Sequence, residues 1–166
     1  MRSVKRWIAA SAIAASALTY SLGPAAANWQ YTQWGISPGE VTTASNSAAQ
    51  SNPDRMLDTD GLKAELTAPY QGAALPFTAV FLFDPENKLE VVTLNPVGGI
   101  ACPVIVQALE ANHGAPEGDA DMVLAKTLRW DDLENDNLIV YADLGEGKCT
   151  IQYSKLPPTR PSGKSL

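Results

Sequence analysis

From Leu62 onward the apolar residues fall at every second position in short runs broken by turns, and that period constrains the fold more than any other feature of the chain. Leu62, Ala64, Leu66 and Ala68 alternate with Lys63, Glu65 and Thr67, the pattern of a half-buried strand. Phe77 to Phe83 is apolar at nearly every position, as expected of a central strand covered on both faces. Asp84-Pro85-Glu86-Asn87 makes a turn, and Leu89 to Leu94 returns as a third strand before Gly98-Gly99 breaks the pattern. Thr127 to Asp131, Leu138 to Ala142 and Cys149 to Tyr153 read as three more strands, with turns at Asn135-Asp136-Asn137 and Gly145-Glu146-Gly147. Strands joined by turns this short run antiparallel.

Each trio of strands follows a helix signal. In Ile36-Ser37-Pro38-Gly39-Glu40-Val41, Ser37 can cap, Pro38 suits the first helical position and Glu40 closes a capping box, with Ile36 and Val41 at the staple positions. The helix soon meets Ser45-Asn46-Ser47 and a polar, loop-like stretch to Asp60. Pro103 opens the second helix, whose Val104, Ile105, Ala108 and Leu109 share a face at helical spacing. His113-Gly114 ends it, with Gly114 at the left-handed cap position and Pro116 just beyond. The expectation is an α+β fold of two helix–three-strand units, forming one antiparallel sheet with the helices packed on one face. The halves share almost no sequence identity, so only the architecture repeats.

The chain begins as exported chains do. Arg2, Lys5 and Arg6 form a basic start, Ile8 to Leu22 an uncharged apolar stretch, and Ala25-Ala26-Ala27 a run of small residues for a peptidase. The stretch is shorter than the roughly 20 apolar residues a helix needs to cross a bilayer. The reading is a signal peptide over 1–27, cleavage between Ala27 and Asn28, one α+β domain over 28–156 and a Pro-rich disordered tail over 157–166. It places the protein in the periplasm or outside the cell, with no membrane contact after cleavage.

Removal of the leader takes away three basic residues and no acid, leaving nine Lys and Arg against 18 Asp and Glu over 139 residues. Such a surface repels nucleic acid, whose binding rests on cations neutralising phosphates. It suits solubility, or a basic partner.

In an oxidising compartment Cys102 and Cys149, the only cysteines, are expected to pair. On the chain-entropy estimate a loop of that length stabilises the fold by about 4 kcal/mol. The catalytic inventory is thin. The single histidine, His113, excludes a His pair for zinc; it reads as a helix-terminal cation first and a base second. No Gly-x-Ser-x-Gly, phosphate-cradling loop or dinucleotide fingerprint occurs. Asp58-Thr59-Asp60-Gly61 opens like a calcium loop, but Pro69 stands where the closing Glu belongs. Glu117, Asp119 and Asp121 fall in a Gly-containing loop, and Asp131, Asp132, Glu134 and Asp136 in or beside a hairpin turn; solvated turn acids are the simplest account of all three clusters. No metal and no cofactor is expected.

Trp29, Tyr31 and Trp34 cluster just after the cleavage point. They are the candidate binding surface, since Trp and Tyr dominate binding hot spots. The alternative is that they form a short first strand, or pack over the core and tie down the new N-terminus, which Gly35 and the capping box immediately following favour.

The run Trp29-Gln30-Tyr31-Thr32-Gln33-Trp34-Gly35-Ile36-Ser37-Pro38 resembles the Trp-Gly-Met-Ser-Pro start of small secreted bacterial proteins, mostly of unknown function, with Ile36 in place of Met. The helix ending Leu109-Glu110-Ala111-Asn112-His113-Gly114-Ala115-Pro116, followed by a strand carrying Trp130, is similar to a unit of the β-lactamase-inhibitor-protein fold and of small lipoproteins of the outer-membrane assembly machinery. The lipid-anchored members of both groups carry a cysteine at the mature start that this chain lacks. The resemblance implies periplasmic binding or scaffolding rather than catalysis, though fold alone carries no function. The expected function is therefore a non-enzymatic exported module that binds a protein or a small molecule. The alternatives are a hydrolase working through paired carboxylates, or an inhibitor of a basic secreted enzyme.

Overall fold

Ser37, Pro38 and Glu40 form the helix start that their spacing predicts. In the computed structural model, which describes residues 28–59, 61–122 and 125–158, helix α1 spans Pro38–Ala44. The Ser37 hydroxyl accepts from the Glu40 amide, and the Glu40 carboxylate accepts from the Ser37 amide at 2.7 Å. The Ser37 amide and hydroxyl, both donating to the Glu40 carboxylate, lower its pKa. The helix stops after seven residues, where Asn46 and Ser47 take positive φ. Its one buried residue, Val41, is fully enclosed.

The rest is mostly sheet. A two-residue strand β1 (Gln50–Ser51) and a 3-10 turn (Arg55–Leu57) precede β2 (Lys63–Gly72), β3 (Leu75–Phe83) and β4 (Leu89–Pro96). Helix α2 (Cys102–His113) leads to β5 (Gly118–Met122), β6 (Ala125–Asp132), β7 (Asn137–Gly145) and β8 (Lys148–Lys155). The described strands form one antiparallel sheet in the order β1-β2-β3-β4-β8-β7-β6-β5. Each half is thus a meander, and the halves meet where β4 pairs with β8 over Val91–Leu94 and Ile151–Ser154.

This overturns the expected pair of helix–three-strand units in a balanced α+β fold. The described chain is largely β: α1 is under two turns long, and both halves hold four strands. Two segments expected to be loops are strands. β1 lies in the polar stretch before Asp60, and β5 covers the segment holding Asp119 and Asp121. Both are edge strands hydrogen-bonded on one side only, so they need little apolar surface to form.

A bulge at Glu65 splits β2 between the two faces of the sheet. Ala64 lies opposite Leu82 and packs, with Val80, Leu57, Leu62 and Val91, in a small cluster on one face. Leu66 lies opposite Phe81, and from there the strand faces the main core. Asn52 secures the crossing: its amide donates to the carbonyls of Ala64 and Asp54, while the Asp58 carboxylate accepts from the Ala64 amide at 2.8 Å.

The main core lies on the other face, under both helices, and joins Trp29, Val41, Phe81, Val92, Ile105, Leu109, Trp130 and Ile139. Helix α2 presents Cys102, Ile105 and Leu109 inward, whereas Val104, expected on the same face, is exposed. Cys102 is bridged to Cys149, which fastens the first turn of α2 to β8. At the other end the Trp130 indole N–H donates to the carbonyl of Gly114, the cap residue at φ +81. No described helix is long and apolar enough to cross a membrane. The leader over 1–27, with Ala27, and most of the tail lie outside the described residues.

Candidate functional site

The sheet curls under α2 without filling the space beneath the helix's C-terminal half. A cavity of about 560 Å³ remains there, walled by α2, by the tip of the β2–β3 hairpin, by Asn28–Gln30 and by the β6–β7 turn. Such a volume lies within the range of small-molecule sites, roughly 300–1,000 Å³. Phe77, Leu94, Ile105, Leu109 and Ile151 supply an apolar floor, and Trp29, Tyr70 and Tyr153 an aromatic wall. Gln30, Asn112, His113, Asp132, Asn135 and Asn137 add polar groups. Among the described residues no Lys or Arg lines the cavity, and Asp132 is its one carboxylate.

The aromatic wall is built around Trp29. Its ring lies 5.2 Å from Tyr70, 5.7 Å from Phe81 and 6.1 Å from Tyr153, centroid to centroid. Gly72 makes room for Tyr70: a Cβ there would stand 2.9 Å from the Tyr70 ring. The hairpin turn beyond it is Ala73-Ala74, with φ of +50° and +62°, a left-handed pair normally taken by Asn-Gly. Strained backbone of this kind concentrates at functional sites.

A network of amides fixes the entry of the chain. Asn28 accepts from the Trp34 amide at 3.0 Å and donates to the Asn135 carbonyl at 3.1 Å. Asn137, 3% exposed, donates to the Asn28 carbonyl and accepts from the Trp34 indole. Gln30 donates to the Tyr70 hydroxyl at 3.1 Å. Burial raises the pKa of Tyr70 and, far more, that of Tyr153, where Tyr70 and Asp132 add to the effect. Both phenols are neutral donors at physiological pH.

The three aromatics of the expected binding surface are thereby separated. Trp29, 3% exposed, is a wall of the cavity and a core residue at once. Tyr31, 37% exposed, leans on Trp29 from outside, and Trp34 is committed to Asn137; neither lines the cavity. His113 closes α2 on the cavity rim, with no hydrogen bond to another described side chain. The carboxylates stay apart. Asp131 is paired with Arg129 at 2.8 Å, Asp58 is committed to Ala64, and Asp132 accepts from Asn135. No second acid joins Asp132 in the cavity, so the facing pair that a glycosidase requires does not form among the described residues. Nor does any group of three His, Cys, Asp or Glu side chains converge there; Asp60 lies outside the described residues.

Tyr70 and Tyr153 were legible in principle. Each continues an inward-facing alternation, Leu66-Ala68-Tyr70 and Cys149-Ile151-Tyr153, and each is a phenol where an aliphatic residue would fill a core.

No protein-family profile and no curated protein matches the chain. Among solved structures, YjgB of Bacillus subtilis, a DUF4309 family protein, is similar at 10% sequence identity with a TM-score of 0.45. The match covers 76% of this chain and 83% of that one. A likeness at that level carries no argument about fold or function.

Proposed function

We propose that the protein is an exported, non-enzymatic binding module whose site is the cavity beneath α2. One observation carries this reading: a cavity of ligand size with an apolar floor, an aromatic wall and polar groups that are uncharged apart from His113 and Asp132, beneath a disulfide-anchored helix. The leader-like start and the Cys102–Cys149 bridge support a periplasmic or secreted location. Among the described residues no second carboxylate joins Asp132 in the cavity, which counts against the hydrolase alternative. The acidic surface argues against a nucleic-acid partner and is compatible with a basic protein partner outside the cavity.

An NMR screen with a library of small neutral fragments tests the site. Binders are expected to shift the amides of Gln30, Tyr70, Leu109 and Tyr153 together. Ala108, half-buried on the cavity side of α2, offers a plug: Ala108→Trp is expected to abolish those shifts while the fold is retained. Fragments that bind only elsewhere, or that bind the plugged protein equally well, would refute the assignment.

A further inference from the structure

The polar groups around the cavity are not a random sample, and their remaining hydrogen-bonding capacity defines what can fill it. Resting on the cavity reading above, we infer that the ligand is an uncharged saccharide or a closely similar cyclic polyol, seated with an apolar ring face against Tyr70 and Tyr153.

Charge restricts the choice first. An anion would enter a cavity with Asp132 in its lining and no Lys or Arg to receive it, on a chain whose acids outnumber its bases. A cation would meet a single carboxylate, Asp132, which also accepts the Asn135 backbone amide at 3.2 Å and its side-chain amide at 2.9 Å. Charge therefore disfavours an anion and leaves a cation one counter-group.

Hydrogen-bond capacity restricts it further. Gln30 and Asn112 each use one side-chain N–H within the protein, on the Tyr70 hydroxyl and the Ala108 carbonyl, and keep the other; the Asn135 side-chain amide donates to Asp132. Their side-chain carbonyl oxygens keep no partner among the described residues, and each is an acceptor. The Tyr153 hydroxyl has no hydrogen bond among the described residues, and the Tyr70 hydroxyl, having accepted from Gln30, still has its proton to donate. A wholly apolar ligand would shield the Tyr70 and Tyr153 hydroxyls from water and return nothing, at about 1–3 kcal/mol for each one left unmet. The rim thus offers donors and acceptors together, which suits hydroxyl groups, since each can both donate and accept.

Shape supplies the last restriction. Tyr70, Tyr153, Trp29 and Phe77 form one aromatic side, and Ile105 and Leu109 an aliphatic one. A ligand must be apolar where it meets those faces and hydroxylated around its edge. A pyranose ring has that division, with C–H groups on its faces and hydroxyls on its rim.

Trp29 provides the readout, since it lies in the cavity wall. Tryptophan fluorescence of the mature protein is titrated with cellobiose, maltose and N,N′-diacetylchitobiose as neutral probes, and with digalacturonate and naphthalene as anionic and apolar ones. A saturable change with at least one neutral disaccharide is expected, and none with the last two. Tyr153→Phe, which keeps the ring and removes the donor, is expected to weaken that binding about fivefold, and Asn112→Ala, at an exposed position on α2, by a similar factor. Ala108→Trp is expected to abolish it. If neutral fragments enter the cavity but neutral saccharides do not, or if digalacturonate or naphthalene binds better, the ligand class is overturned and the cavity reading stands. If nothing enters in a plug-sensitive way, both fall.

Discussion

Ala73 and Ala74 hold a left-handed turn at the cavity rim with side chains that disfavour it. The left-handed conformation costs an L-residue roughly 1–2 kcal/mol, and Asn-Gly relieves most of that in a two-residue hairpin turn. Ala73→Asn combined with Ala74→Gly is therefore expected to raise stability by about 1–2 kcal/mol, read as a higher urea midpoint at unchanged slope. An unchanged or lower midpoint would show that the turn is not strained. Tyr153 makes a second residue-level prediction. Its hydroxyl titrates higher in the folded protein than the unfolded value of about 10, so the folded state holds the proton more tightly. The stability this difference provides is complete below about pH 10 and is lost as pH rises above it, by at most about 1.4 kcal/mol per pH unit. Tyr31, Tyr70 and Tyr141 act in the same sense. Urea midpoints measured from about pH 8 to pH 11 are expected to fall on the alkaline side, and Tyr153→Phe to fall less steeply. Equal alkaline slopes would remove Tyr153 from the account.

Helix α2 is held at both ends, by Cys102–Cys149 and by the Trp130 indole on the Gly114 carbonyl, and the cavity lies beneath the half nearer the indole. Trp130→Phe keeps an aromatic ring in the core but removes the donor, at an expected cost of about 1–2 kcal/mol. The last turn, with Asn112 and His113, is expected to fray, so hydrogen exchange at those amides should accelerate more than at Ile105. Equal acceleration along the helix would mean the loss is one of general packing. How much of this was legible in the chain depends on where the information lies. Leu89–Leu94 is a strand by its apolar content, with a register shift at Glu90. The strands around Phe77–Phe83 and Leu138–Ala142 follow from local period, because Phe77, Ala79, Phe81 and Phe83, and Ile139 and Tyr141, keep one face on the core. The bulge at Glu65 does not: Leu62, Ala64, Leu66 and Ala68 alternate perfectly in sequence, yet the chain changes face between Ala64 and Leu66. β5 was hidden by its Asp residues, and the cavity by its composition, since its lining is gathered from α2, six strands, two turns and the N-terminal segment. Spacing along one segment cannot report a space between many.

At the scale of the whole molecule, the two meanders share only the short β4–β8 ladder, and Asn28–Ile36 ties them together across the core. Asn28 and Trp34 reach the β6–β7 side through Asn135 and Asn137, Trp29 inserts among Tyr70, Phe81 and Tyr153, and Gly35 and Ile36 exchange backbone hydrogen bonds with Leu89. The residue that the leader reading makes first in the mature chain is thus held at four points: its amide on the Thr32 carbonyl at 2.9 Å, its side chain on Trp34 and Asn135, and its carbonyl on Asn137. A cut even a few residues downstream would remove part of the clasp, and Trp29 with it. N-terminal sequencing of protein recovered from the periplasm or medium is accordingly expected to read Asn-Trp-Gln-Tyr, with an intact mass two hydrogens below that of the reduced protein. A start beyond Trp29, or identical masses before and after reduction, would contradict the arrangement. The same clasp sets the cost of Asn137→Ala. It strands the Asn28 carbonyl and the Trp34 indole together, so a loss of about 2–3 kcal/mol is expected, with both meanders destabilised in one transition. Two separate transitions in the variant would locate the coupling of the halves in this clasp rather than in the β4–β8 ladder.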